Sequence, residues 1–452
     1  MVQASPSSLI IRRTMANTIQ VQEEIHIPEG INYDCMGCGI CCSGWSVNMS
    51  EEDYKRVSSV DWGELKDDYK GKKLFRELKP HEREGTAYTH RIVSRDDTCP
   101  FLVNKLCFIH GQKGGPFKPT ICQQFPYAFT ETPSGVYATV SFVSMAVLYN
   151  QGPALVDQRD TINQKFIDFK KLYPHYKPDW SKIQLSVEQP MTWDQYLQHE
   201  AQLMQRFCDK SKPLQERLSD CCDYLAQEMA KTPRGANAVA SGKNPEPAAA
   251  ASDASNRSVL LNKLDKHLLT AFHKMYFPRR AYRPLFNVPK FWLGVWFKAG
   301  TVFEMECPPA GYTRNVEGVL DNNKYQAVVE AYAIDQLNEF PFPDDDAEIN
   351  DMLHRFFYSL IFGKKYFGAG FGHLSLVTGF HHMVMAYSLA RLHAKGLAKM
   401  RRAPRVSLVD VVATLKQLET QMGEIMIGPY AASTLELLLQ YPSRARRYLA
   451  LP

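Results

Sequence analysis

Apolar residues recur at helical spacing in five stretches of the second half of the chain, 260–277, 322–338, 349–366, 373–395 and 407–424, and predict a mainly helical region. Upstream, the TWDQ run is a capping box, Thr192 with Gln195 three residues on, opening a helix that runs toward Cys208. A second helix is expected from Pro213 to Lys231. The first 150 residues read differently, as short apolar runs broken by glycine and proline. EEDYKRV and the stretch to Leu78 suggest two helices, and GVYATVSFVSMAV (135–147) suggests a strand of β-branched and aromatic residues. Residues 232–258 hold no aromatic side chain and almost nothing large and apolar, so they cannot offset their ordering entropy and read as a disordered linker.

This pattern predicts an α+β fold in which a small cysteine-rich metal-binding domain is followed by a mainly helical one. The expected divisions are a cysteine-cluster domain over 20–150, a helical segment over 151–231, the linker over 232–258 and a helical domain over 259–452. A length of 452 residues allows more than one core without cross-links.

Charge adds little. Lys and Arg number 53 against 48 Asp and Glu, a formal excess of +5 that does not announce a nucleic-acid binder. The basic groups Arg279, Arg280 and Arg283, and Lys399, Arg401, Arg402 and Arg405, read as solvated helix ends. The N-terminal residues show no secretory pattern, and Met15 is a second candidate start. The apolar stretch from His373 to Leu392 is interrupted by His381, His382 and Arg391. A membrane span wants about 20 predominantly apolar residues, so this is read as a buried helix with core histidines. A cytoplasmic location is expected, where thiols stay reduced.

In that setting the cysteines become the main chemical signal. Seven of the eleven fall early: Cys35, Cys38, Cys41, Cys42, Cys99, Cys107 and Cys122. The others, Cys208, Cys221, Cys222 and Cys307, are scattered and read as small buried hydrophobes. A C-x2-C spacing lets two thiolates reach one metal from a tight turn, and glycines 37 and 39 remove obstructing Cβ atoms. The run Cys35-x2-Cys38-x2-Cys41 also opens the bacterial ferredoxin pattern, with Cys99-Pro100 or Cys122 available as a remote fourth ligand. Seven thiols exceed one four-ligand site, so one centre with spare thiols and two centres both stay open. Cys107-x2-His110 could form half of a zinc site, although His110 is read first as a structural histidine.

The ordered pieces CMGCGICCSGW, CPFLVNKLCFIH, KPTICQQFP and VSFVS resemble the YkgJ-type cysteine-cluster family, a zinc- or iron-chelating domain, over roughly residues 30 to 150. That family includes flagellin lysine N-methylases, and the long helical remainder with Gly44-Trp45 is similar to these longer members. The resemblance implies an eighth cysteine in the strand after KPxxC, where SFVSMAV in this chain offers Ser144 or its neighbour, and a serine hydroxyl is a poorer ligand for soft metals. The resemblance implies a [4Fe–4S] cluster or zinc. In the methylase-like case it also implies S-adenosylmethionine and transfer of a methyl group to a protein lysine. The other reading is a non-catalytic metal-binding or electron-transfer module that docks a protein partner. The glycine-rich YFGAGFGH (366–373) follows a helical segment, not a strand, so it reads as a helix-connecting turn before a methyl-donor loop. The radical C-x3-C-x2-C spacing is absent.

Overall fold

The computed structural model describes residues 24–42, 46–94, 98–231, 261–279, 300–306, 329–424 and 427–451. The linker expected over 232–258, Cys307, Gly44-Trp45, Arg280 and Arg283 lie outside these residues.

The fold is α+β, with small sheets first and helices afterwards. Tyr127–Thr132 and Gly135–Val140 form an antiparallel hairpin, and Ile25–His26 joins it in parallel, Ile25 opposite Val136. A second three-stranded sheet pairs Tyr88–Ile92 with Asn48–Ser50 on one side and Phe75–Glu77 on the other. Eight buried side chains, among them Val47, Trp62, Tyr69 and Phe101, make a small core beside this sheet. Trp62 and Phe101 meet edge to face with ring centroids 5.0 Å apart, and Trp62 Nε1 donates to the Val57 carbonyl at 2.9 Å.

The expected helices from Thr192 and Pro213 are present as Trp193–Phe207 and Leu214–Ala230. The capping box closes both ways: Gln195 N donates to Thr192 Oγ1 at 3.2 Å, and Thr192 N to Gln195 Oε1 at 2.8 Å. Helices over Lys263–Tyr276, Ala347–Phe362, Leu376–Met400 and Leu408–Glu424 follow, and two shorter ones, Pro429–Leu439 and Pro442–Leu449, lie beyond the periodic stretches singled out. Leu376–Met400 is buried over nearly its whole length because neighbouring helices and short strands cover it on all sides. No helix among the described residues is long and apolar enough to cross a membrane.

Three expectations need correction. The strand over 135–147 ends at Val140, and Met145–Leu148 is helical, because Ser141 to Ser144 form a turn in which Ser144 N donates to the Ser141 carbonyl at 3.1 Å. The helix expected over 322–338 is, in its described part, a strand Val329–Ala333 and then a helix Ile334–Asn338. Pairing with Val302–Glu306 captures the first half as strand. Only one helix of the pair expected before Leu78 has two full turns, Glu51–Ser58. The other is the single turn Trp62–Leu65, and the segment ends in the strand Phe75–Glu77.

The largest core draws on both halves. Ile25, Phe129 and Val136 from the first sheet and Phe142 from the turn after it pack in one cluster with Phe356, Phe380, Leu389 and Leu415 from the helices. The early sheet is thereby fixed against the helical bundle, and the cysteine loop sits at that junction.

Candidate metal centre

Residues 33–42 form a loop pinned at its start. Tyr33 N and Asp34 N donate to the Pro153 and Gln151 carbonyls at 3.1 and 2.9 Å, and Cys35 N donates to Asp34 Oδ1 at 2.7 Å. Gly37 and Gly39 have φ of +64° and +71°, a region that side-chain-bearing residues avoid. A Cβ at Gly39 would also run into the Lys105 carbonyl, so glycine is what lets the loop close onto the next cysteine-bearing segment. The loop ends in a 3-10 turn over Ile40–Cys42.

That next segment is a hairpin, Leu102–Val103 paired with Leu106–Cys107, turned by Asn104 and Lys105, both at positive φ. Leu102 N donates to the Cys99 carbonyl at 2.9 Å and Phe108 N to the Phe101 carbonyl at 2.7 Å, which brings Cys99 and Cys107 to the same end of the hairpin. Cys122 rides on the short helix Thr120–Gln124. Its placement depends on Asp53, which has no exposure to solvent. One oxygen of Asp53 accepts from Thr120 N at 3.1 Å, Thr120 Oγ1 at 2.7 Å and Arg56 Nη2 at 2.5 Å, while Arg56 Nη2 also reaches the Lys118 carbonyl at 3.0 Å. Asp53 and Arg56 are organising residues that the sequence reading passed over. The signal was available, since Ser50-Glu51-Glu52-Asp53 is itself a capping box with Asp53 in the third helical position.

A cavity of about 90 Å³ is lined by Cys35, Cys38, Cys41, Cys42 and Cys107, with His110, Lys118 and Ser144 on its wall. Cys99, Cys107 and Cys122 pack on the small core, whereas Cys38 packs on the large one. All seven early cysteines therefore gather at one junction, and all are free thiols. Among the described residues, no three His, Cys or carboxylate groups stand close enough together to hold one ion as they are placed. The donor set nonetheless fits a thiophilic metal in kind, because it is made of soft sulfur ligands around a shared cavity.

The thiols are not equivalent. The Cys41 thiol hydrogen-bonds to the Cys42 sulfur, which raises Cys41 and, with help from the ammonium groups of Lys118 and Lys416, brings Cys42 down to about 7. The hydrogen-bonded Cys41–Cys42 pair is thus the part of the cluster best prepared to supply a thiolate. Burial pushes Cys99 up to about 12 and raises Cys122. In the absence of a cation, those two stay protonated.

The remaining cysteines follow their packing. Cys221 and Cys222 are buried in the large core and raised by burial, while Cys208 is exposed, against the expectation, because it caps the end of a helix. His381 and His382 are buried as expected, His381 Nδ1 against the Leu439 carbonyl at 2.6 Å and His382 Nε2 against the Tyr276 hydroxyl at 2.5 Å. The glycine-rich stretch 366–373 joins the Ala347–Phe362 and Leu376–Met400 helices. A Cβ at Gly370 would overlap the Lys364 carbonyl, so close packing accounts for that glycine.

Comparison with known proteins finds similarity over part of the chain. An uncharacterized protein of Methanocaldococcus jannaschii is 29% identical over 102 residues, 22% of this chain and 31% of that protein, so the chain spans less than a third of this relative's length. No solved structure matches. The model of the CxxCxxCC family, whose description reads "Putative zinc- or iron-chelating domain", matches residues 34–142, and this segment is similar to that family.

Proposed function

We propose that the chain is a metal-binding protein whose centre draws its thiolate ligands from among Cys35, Cys38, Cys41, Cys42, Cys99, Cys107 and Cys122, and that its occupant is an iron–sulfur cluster, with zinc as the competing ion. The observation that carries this reading is the junction cavity. Five of the seven thiols line it, and the other two share a small core with the fifth, Cys107. Rotation about the cysteine χ1 angles, on a loop already broken by two positive-φ glycines, would turn these sulfurs toward a common ion. The ferredoxin-like run and the preponderance of sulfur over nitrogen donors favour iron–sulfur. When bound, such a group supplies electron transfer or a structural clasp. The protein's part is to ease thiolate formation at the Cys41–Cys42 pair and to shield the other thiols by burial until a cation displaces their protons.

Ser144 stands on the cavity wall, directly before the Met145–Leu148 turn, and its hydroxyl is the donor in place of the further cysteine that the family resemblance implies near this position. One position around the centre is then left to a weak oxygen donor or to an outside ligand.

Anaerobic purification followed by a visible spectrum tests this function. A broad band near about 400 nm with matching iron and sulfide supports the cluster. Colourless protein with stoichiometric zinc replaces it by a zinc centre, and protein that retains neither metal overturns the reading.

A further inference from the structure

Lys416 lies in the middle of the Leu408–Glu424 helix and is only 4% exposed. The helix is fixed at its start by Asp410, which is fully buried and accepts from Arg401 Nε and Nη2 at 2.8 and 2.6 Å. One turn beyond Lys416, the Glu419 carboxyl is held by the Ser141 hydroxyl and the Phe142 and Val143 amides. That segment runs directly into Ser144, Met145 and Ala146 of the cysteine cavity. Residues three apart share a helix face, so the face turned toward the cavity wall also carries Lys416. Its ammonium is within electrostatic reach of Cys38, Cys41 and Cys42. Cys38 in turn packs on the core that Leu415 and Leu418 of this helix help to build.

A buried ammonium is costly unless an opposite charge offsets it. Four thiolates around zinc, or around an oxidised [4Fe–4S] core, leave about two negative charges in a poorly solvated site. Lys118 lines the cavity and Lys416 approaches it from the helical side, so two ammonium groups meet that demand. Glu419 has an ammonium of its own, since Lys365 lies within its electrostatic reach, and burial raises its carboxyl.

We propose that Lys416 is the buried counter-charge of the thiolate centre, contributed by the helical part of the chain, so that metal retention is set jointly by the cysteine segment and a helix remote from it in sequence. This rests on the metal reading above.

The test uses the full chain loaded with zinc under anaerobic conditions and titrated with a chromogenic chelator. Variants are Lys416→Met, Lys416→Gln, Lys416→Arg and, as a control, Lys395→Met. Lys395 is equally buried, but its ammonium donates to the Asn338 carbonyl at 3.0 Å. Lys416→Met and Lys416→Gln should release zinc at least about tenfold more readily, whereas Lys416→Arg and Lys395→Met should stay within about threefold of the parent. Retention in Lys416→Met and Lys416→Gln within about twofold of the parent overturns the proposal, and so does an equal loss in Lys395→Met. A parent chain that retains neither zinc nor iron brings down the metal reading and this inference together.

Discussion

The cysteine-bearing layer and the helical bundle solve opposite problems. The layer has a core of eight buried side chains, strands of two to five residues and a loop held by glycines and backbone hydrogen bonds. The bundle has a large continuous core around a 25-residue helix that is buried almost end to end. A small core stabilises weakly, so the layer leans on polar anchors such as Asp53 and on the proposed metal. The bundle has apolar burial enough to hold itself together without a metal, and Cys221 and Cys222 behave there as small apolar residues. The contrast shows that a thiol's role follows from what surrounds it. Cys221 and Cys222 are as reduced as Cys38 and Cys42, yet only the latter pair faces a cavity with ammonium groups nearby.

The contrast is sharpened first by removing apolar volume from the bundle. Phe380 is fully buried on the long helix, and Phe380→Ala should cost about 3–5 kcal/mol in urea unfolding while leaving metal content per folded molecule unchanged. A smaller effect with a different signature is expected in the layer. Asp53→Ala removes a buried cap and the carboxylate that holds Arg56 and Thr120. Because Arg56 is a quarter exposed, the expected cost is about 2–3 kcal/mol, short of that of a fully buried pair. Unlike Phe380→Ala, it should also weaken metal retention, since the Cys122 segment loses its anchor. Equal retention in the two variants would show that the layer does not depend on this carboxylate.

Acid should act on the bundle. Burial lowers His354 to about 4, His381 to about 4, and His382 and His393 to about 3. In the unfolded chain these imidazoles take up protons near about 6.5. Between the two values the unfolded state binds more protons, so stability is complete above about 6.5 and falls as pH drops toward 4. Unfolding followed at pH 7, 6 and 5 on metal-free protein should show this decline. His381→Gln should flatten it slightly, the smallest effect of the series, and a stability profile level from pH 7 to 5 would contradict the account.

Much of this was readable in the sequence where local rules suffice. The Thr192 box, the helices over 349–366 and 373–395 and the spacing of Cys35 to Cys42 depend on residues a turn or two apart. What escaped depends on distant partners. Residues 329–333 are strand because 302–306 pairs with them, and the turn at Ser141 to Ser144 is where the segment over 135–147 leaves its sheet. Asp53 was legible as a cap, but its grip on Thr120 was not, because that contact is closed only by tertiary folding. The role proposed for Lys416 could not be read at all: in sequence it is one polar residue on an amphipathic helix.

The central claim, that the early thiols and not the late ones hold a metal, is tested most directly by counting iron, sulfide and zinc per chain in anaerobically purified parent, Cys42→Ser and Cys221→Ser proteins. The account predicts stoichiometric metal in the parent and in Cys221→Ser, and its loss in Cys42→Ser. Metal retained in full by Cys42→Ser, or absent from the parent, would contradict it.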